Sequence, residues 1–197
     1  MIIKSLFPSV FQHLDIETFD KDTLVDYVYK QREENSEGLV RSNVGGWHSC
    51  DNYHTFDNPL NSFLMTGLKE IASIRMFKPK TTITVLQMWI NINNKGDYNK
   101  KHCHPNCDLS GTFWIKVPQN SGDLLFVNPS EFAEANLMDY YSEEFKDRFI
   151  VYPSFEFYPV EGRVCLWPSH LYHGVGRNDS GEDRISVAFN LNIGGSN

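Results

Sequence analysis

His102-Cys103-His104 sets two imidazoles two residues apart, and His173 follows much later in the run WPSHLYHGV. In an extended strand, residues two apart point the same way and lie about 6.5–7 Å apart, so both rings can converge on one ion. A third histidine at the end of a distant strand completes the ligand set that a facial metal site needs. His170 and His173 both qualify by position; His173 is preferred because His173-Gly174-Val175 resumes an extended pattern. The competing reading is structural. Asn99-Lys100-Lys101 and Pro105-Asn106 make the first pair look like surface histidines in a polar loop, and the later ones can cap a turn or pack beside Trp167.

A second constellation lies in RISVAFNLNI (184–193), where Arg184, Ser186, Ala188 and Asn190 share one face. Ile185, Val187, Phe189, Leu191 and Ile193 share the other. A planar guanidinium can grip a carboxylate through two parallel hydrogen bonds, and Ser186 adds a hydroxyl donor. Facing inward without a partner, Arg184 would carry a heavy desolvation cost, so an anionic ligand is implied. A surface ion pair with Glu182 or Asp183 is the alternative.

The elements that must position these groups are legible from periodicity. Residues 17–34 carry Leu24, Val25, Val28 and Tyr29 at helical spacing, and a second helix is expected from Pro59 to Met76, with Leu60, Phe63, Leu64, Leu68 and Ile71 in one stripe. From Thr81 the period drops to two. In TTITVLQMWININN, Thr82, Thr84, Leu86, Met88, Ile90 and Ile92 form one face, suited to packing on helices. Ile83, Val85, Gln87, Trp89, Asn91 and Asn93 form the other, which turns polar like the wall of a cavity. Further strands are expected at 110–117, 122–128, 154–160, 162–169 and 184–193, divided by turn residues. Helices first and strands afterwards indicate a mainly β fold, a sandwich or jelly roll buttressed by N-terminal helices. The whole of 1–197 reads as one domain: about 1–80 as helical support, about 81–193 as the β core, with a helical or looped insertion at 130–149 suited to a lid.

These signals combine in one order: H-x-H, a later H-G-V, and R-x-S eleven residues after that histidine. That order resembles the 2-oxoglutarate and Fe(II)-dependent oxygenase superfamily. The segments SNVGGWHS (42–49), GDYNKKHCHPNCDLSGTFWIKVP (96–118), GRVCLWPSHLYHGV (162–175) and RISVAFN (184–190) are more narrowly similar to a branch found in bacteria and phages. The resemblance implies a double-stranded β-helix, Fe(II) held by His102, His104 and His173, and 2-oxoglutarate as co-substrate. It implies that Arg184 and Ser186 bind the distal carboxylate, that Trp114 contacts the co-substrate, and that Gln87, Trp89, Asn91 and Asn99 line the pocket near the metal, with Asn190 bonding co-substrate or substrate. Gly46 and Trp47 would approach its mouth. The superfamily usually has His-x-Asp or His-x-Glu, giving two histidines and a carboxylate. Here His104 occupies the carboxylate position, and Asp108 is the alternative third ligand only if Pro105-Asn106 kinks the chain tightly.

The implied activity is a dioxygenase, a hydroxylase of a small molecule or peptide. Two other readings stay open: a cupin-like three-histidine dioxygenase that ignores 2-oxoglutarate, and a non-catalytic jelly-roll binding module. Composition narrows the rest. A net charge of −7 and a pI near 5.4 argue against a nucleic-acid partner held by phosphate contacts. Cys50, Cys103, Cys107 and Cys165 form no CxxC pair, which speaks against a zinc ribbon, though a mixed site with Cys103 or Cys107 is conceivable. No apolar run reaches membrane-spanning length, and no signal peptide is evident, so a cytoplasmic protein with reduced thiols is expected. A homodimer is the default assembly.

Overall fold

The computed structural model describes residues 9–73, 77–130 and 137–195. Within them, eleven strands and three helices alternate in the order β1 (Gln12–Asp15), α1 (Lys21–Glu34), β2 (Asn43–Val44), β3 (Trp47–His48), α2 (Pro59–Ser73), β4 (Thr81–Asn93), β5 (Tyr98–His102), β6 (Leu109–Lys116), β7 (Leu124–Val127), α3 (Glu143–Phe149), β8 (Ser154–Phe157), β9 (Arg163–Pro168), β10 (His173–Val175) and β11 (Arg184–Gly195). The strands form two antiparallel sheets, ordered β1-β9-β6-β11-β4-β3 and β2-β5-β10-β7-β8. This is the expected double-stranded β-helix, or jelly roll. The N-terminal region contributes more than helices, because β1 and β3 extend the larger sheet and β2 edges the smaller one.

The outer face of the larger sheet carries the main core. Met88, Ile90 and Ile92 from β4, Phe113 and Ile115 from β6, Val164 and Leu166 from β9, and Ile185, Val187, Phe189 and Leu191 from β11 pack against Leu24 and Val28 of α1 and Leu60, Phe63, Leu64, Leu68 and Ile71 of α2. Both helical stripes are those expected from periodicity. Helix α1 starts at Lys21 rather than 17 because the Asp20 side chain caps it, accepting from the Thr23 amide at 3.1 Å. Helix α2 runs to Ser73; the expected continuation to Met76 lies outside the described residues. Gly111 lies opposite Phe189, and a Cβ there would collide with the Phe189 ring and the Cys165 carbonyl.

One expectation about β4 is overturned. Asn190 pairs with Gln87 while Leu191 pairs with Val85, so Leu86 is an extra residue, a β-bulge. A one-residue slip exchanges the faces of everything beyond it. Ile83 and Val85 therefore pack with Met88, Ile90 and Ile92 on the helix side, not with Gln87 and Trp89. A second extra residue, Ile115, shifts β6 against β11 and keeps Trp114 opposite Ser186.

Of the 130–149 segment, α3 is helical from Glu143 to Phe149, capped by Ser142, and residues 131–136 lie outside the described set.

Candidate active site

The inner face of the larger sheet is a wall of cross-strand rungs. Arg184 faces Asn93; Ser186 stands between Asn91 and Trp114; Ala188 between Trp89 and Thr112; Asn190 between Gln87 and Ser110. His48 on β3 adds to the Asn91 rung, and Cys165 and Trp167 on β9 extend the last two. The wall borders a cavity of 720 Å³ whose other side is built by β5, β10 and β7, including His102, His104, His173, Val175 and Leu124. Between the sheets, Trp114, Leu124, Phe126, Cys165, Trp167 and Leu171 form a smaller apolar cluster.

The smaller sheet delivers the histidines. His173 on β10 is the direct cross-strand partner of His102 on β5. His104 lies beyond the end of β5, not on the strand as its spacing suggested, and its amide bonds the Ser169 carbonyl at 3.0 Å. The turn still brings its ring in. Ring centres are 4.5 Å apart for His102 and His173, 5.0 Å for His102 and His104, and 5.1 Å for His104 and His173. One nitrogen from each ring lies within 4.8 Å of the others. An ion about 2.1 Å from each nitrogen along perpendicular directions sets ring centres about 4.5 Å apart, so the trio fits a facial metal site.

Their protonation suits ligation. Nδ1 of His102 lies 2.7 Å from the Lys100 carbonyl and Nδ1 of His173 lies 2.9 Å from the Leu171 carbonyl. Each Nδ1–H donates there, which leaves Nε2 unprotonated for a metal. Burial holds all three below the usual imidazole range. Burial with the neighbouring His102 takes His104 to about 4; burial with His102 and His104 takes His173 to about 3; burial alone lowers His102. Neutral imidazoles are the form a metal needs. Trp89 is held between His48 and His104, with ring centres 5.7 Å from each, so the trio faces the Trp89–Ala188–Thr112 rung.

Arg184 is 1% exposed and forms no ion pair among the described residues. The surface alternative fails because Glu182 pairs with Lys116 and Asp183 with Arg32. One guanidinium nitrogen donates to Ser186 Oγ at 3.1 Å, and Nε has no partner among the described residues. Burial lowers its pKa to about 10, partly offset by the charge of Asp123, so it stays cationic at neutral pH. The indole nitrogens of Trp114 and Trp167 are also buried and without a partner. Among the described residues that line the cavity, these three orphaned groups are all donors, and an anion is their complementary guest; Asn93, whose Oδ1 is also orphaned, is not one of the lining residues.

Other expected residues sort by use. Asn99 lines the cavity, accepting from Asn93 at 3.2 Å and donating to Ser42 at 3.3 Å. Gln87 and Asn190 line it at the end farthest from Arg184. Asp108 does not join the trio: it accepts from the Ile193 amide at 2.7 Å. Cys107 bonds the His104 carbonyl instead of joining a ligand set, and His170 is exposed. Gly46 and Trp47 do not reach the cavity; Trp47 is core and donates to the Asn35 carbonyl at 2.8 Å. Sequence reasoning missed His48, Asp51 and Trp167 as wall residues. Their only local signal was an aromatic, turn-rich stretch and an apolar strand.

A jelly roll in which one cavity is lined by a histidine trio and a buried arginine has the layout of a non-heme metal oxygenase. The model of the family described as "Putative 2OG-Fe(II) oxygenase" matches residues 87–190, over half the chain, and the chain belongs to that family. No curated protein matches in sequence. Among solved structures, the chain is similar to a 2OG-Fe(II) oxygenase family oxidoreductase from Burkholderia pseudomallei (13% identity, TM-score 0.50, 68% of this chain), spanning 55% of that protein's length. It is similar to HygX from Streptomyces hygroscopicus with nickel and 2-oxoglutarate bound (12% identity, TM-score 0.59, 93% of this chain and 83% of that one). It is also similar to a Trichoplax adhaerens prolyl hydroxylase in complex with a hypoxia inducible factor peptide (12% identity, TM-score 0.61, 92% and 82%). No helix among the described residues is long and apolar enough to cross a membrane.

Proposed function

We propose that this chain is a 2-oxoglutarate-dependent hydroxylase in which His102, His104 and His173 hold Fe(II) through Nε2, and Arg184 with Ser186 binds the distal carboxylate of the co-substrate. The observation that carries this is the set of unpartnered buried donors, Arg184 Nε, Trp114 Nε1 and Trp167 Nε1, in the cavity that the trio lines. Iron and 2-oxoglutarate, when bound, supply the oxidation: dioxygen and 2-oxoglutarate give succinate and carbon dioxide while one oxygen atom enters a substrate C–H bond. The protein's part is placement. Arg184 and Ser186 anchor one end of the diacid, Trp114 flanks it, and Asn99 ties β5 to the wall through Asn93.

Three neutral imidazoles leave the full double charge of the metal uncompensated, where a carboxylate ligand would halve it. That strengthens attraction for a dianionic co-substrate and weakens retention of the metal. A three-histidine dioxygenase that ignores 2-oxoglutarate would account for His104 but leave Arg184 buried without a purpose. The substrate is a small molecule or a peptide, as for HygX with hygromycin B and for the prolyl hydroxylase with its peptide.

Calorimetric titration of the Mn(II)-loaded protein with 2-oxoglutarate tests the reading. Saturable binding that is lost in Arg184→Ala, with metal binding kept, is expected. No 2-oxoglutarate binding to the metal-loaded protein overturns it.

A further inference from the structure

At the end of the wall opposite Arg184, four side chains form a directed hydrogen-bond relay. Gln87 Nε2 donates to Asp51 Oδ2 at 2.8 Å, Asn190 Nδ2 donates to Gln87 Oε1 at 2.8 Å, and Ser110 Oγ donates to Asn190 Oδ1 at 3.0 Å. The direction follows from chemistry. An ionised carboxylate only accepts, so Asp51 compels Gln87 to present its amide nitrogen; the Gln87 oxygen then compels Asn190 likewise, and Ser110 donates into what remains. Asp51 sits outside the larger sheet's strands, reached through the turn after β3, and its backbone carbonyl accepts from the Met88 amide at 2.9 Å.

The relay leaves a defined surplus. Each amide nitrogen of Gln87 and Asn190 has two hydrogens and spends one, and no hydrogen bond reaches Asp51 Oδ1 among the described residues. All three residues line the cavity. What is offered there is a pair of N–H donors beside a carboxylate acceptor.

Position separates this surface from the co-substrate. Arg184 and Asn190 are six residues apart on β11, about 20 Å along an antiparallel strand. The histidine trio faces the rung of Trp89, between them. A five-carbon diacid held by Arg184 and reaching the metal ends well short of Gln87.

We infer that Asp51, Gln87 and Asn190 form the primary-substrate subsite, and that it takes a peptide unit, whose carbonyl accepts from the two amide groups while its N–H donates to Asp51. This rests on the reading of Arg184 and the trio given above. Asp51 is both a contact and the positioning residue that orients the two amides. A substrate bearing only acceptors leaves Asp51 Oδ1 unpaired, and one bearing only donors meets two N–H groups; a secondary amide satisfies both.

The test uses the full chain loaded with Zn(II) and 2-oxoglutarate, with N-methylacetamide as the minimal peptide unit and N,N-dimethylacetamide as its counterpart without a donor. The readout is the side-chain amide ¹H–¹⁵N resonances of Gln87 and Asn190. N-methylacetamide is expected to shift both saturably, with an affinity in the millimolar range and about 5-fold or more above that of the dimethyl compound. Asp51→Asn can still accept from Gln87 through its own carbonyl, so it keeps the two amides ordered while removing the preference between probes. Asp51→Ala loses both the preference and the fixed amide resonances. Equal binding of the two probes by the unsubstituted protein, no saturable shift, or a preference that persists in Asp51→Asn overturns the inference. Retention of 2-oxoglutarate binding by Arg184→Ala would instead overturn the earlier reading, and the amide shifts would then be judged on their own.

Discussion

His102 and His173 belong to distant parts of the chain yet are cross-strand partners on β5 and β10, with ring centres 4.5 Å apart and each Nδ1 bonded to a backbone carbonyl two residues before it. The same local device sets both tautomers, so the sheet itself delivers two Nε2 atoms to one point. Among the described residues the His104 ring has no such backbone bond, and it reaches the point from a turn.

That asymmetry predicts unequal losses on substitution. His102→Ala and His173→Ala should abolish Co(II) binding followed by absorbance. His104→Asp restores the charge that a carboxylate ligand brings and should tighten Fe(II) binding about 10-fold or more. Weaker binding in His104→Asp would show that the turn cannot place a shorter side chain.

Arg184 should trade stability for binding. In Arg184→Met the ligand-free protein loses a buried charge with no ion pair among the described residues, and relieving the desolvation of such a charge is stabilising. Thermal unfolding of the ligand-free variant is expected at a higher temperature than the parent, while 2-oxoglutarate no longer raises it. A lower melting temperature without ligand would mean that Arg184 organises the empty wall.

The metal-free protein should weaken in acid. His102, His104 and His173 have folded-state values below that of an unfolded histidine, near 6.5, so the unfolded chain binds more protons between those values. Their contribution is fully present above about pH 6.5 and is lost as pH falls toward 4 and then 3. Urea unfolding midpoints measured from pH 7.5 to 4.5 should fall, and His173→Phe should flatten that slope.

Gly111 should tolerate no side chain. The Phe189 ring occupies the space a Cβ needs, so Gly111→Ala is expected to cost about 1–3 kcal/mol through overpacking. Phe189→Leu should recover part of it in a double-mutant cycle, and additive effects would refute the contact.

By itself the sequence determined the strand-borne features. Alternation on β11 put Arg184, Ser186, Ala188 and Asn190 on one face, because a pleated strand leaves no other choice. Helical stripes on α1 and α2 identified the partners of the larger sheet, and the spacing of His102, His173 and Arg184 was enough for the family resemblance. What only the tertiary structure decided depends on single residues or on distant partners. The bulge at Leu86 exchanges the faces of β4, yet an extra residue leaves no mark in composition. His104 arrives through a turn, Asp108 is drawn away by a β11 amide, and Asp51 meets the wall only where Gln87 donates to it, with Asn190 donating in turn to Gln87. Local periodicity reports the direction of a side chain, whereas its partner is set by register, and register is a property of the assembled sheets.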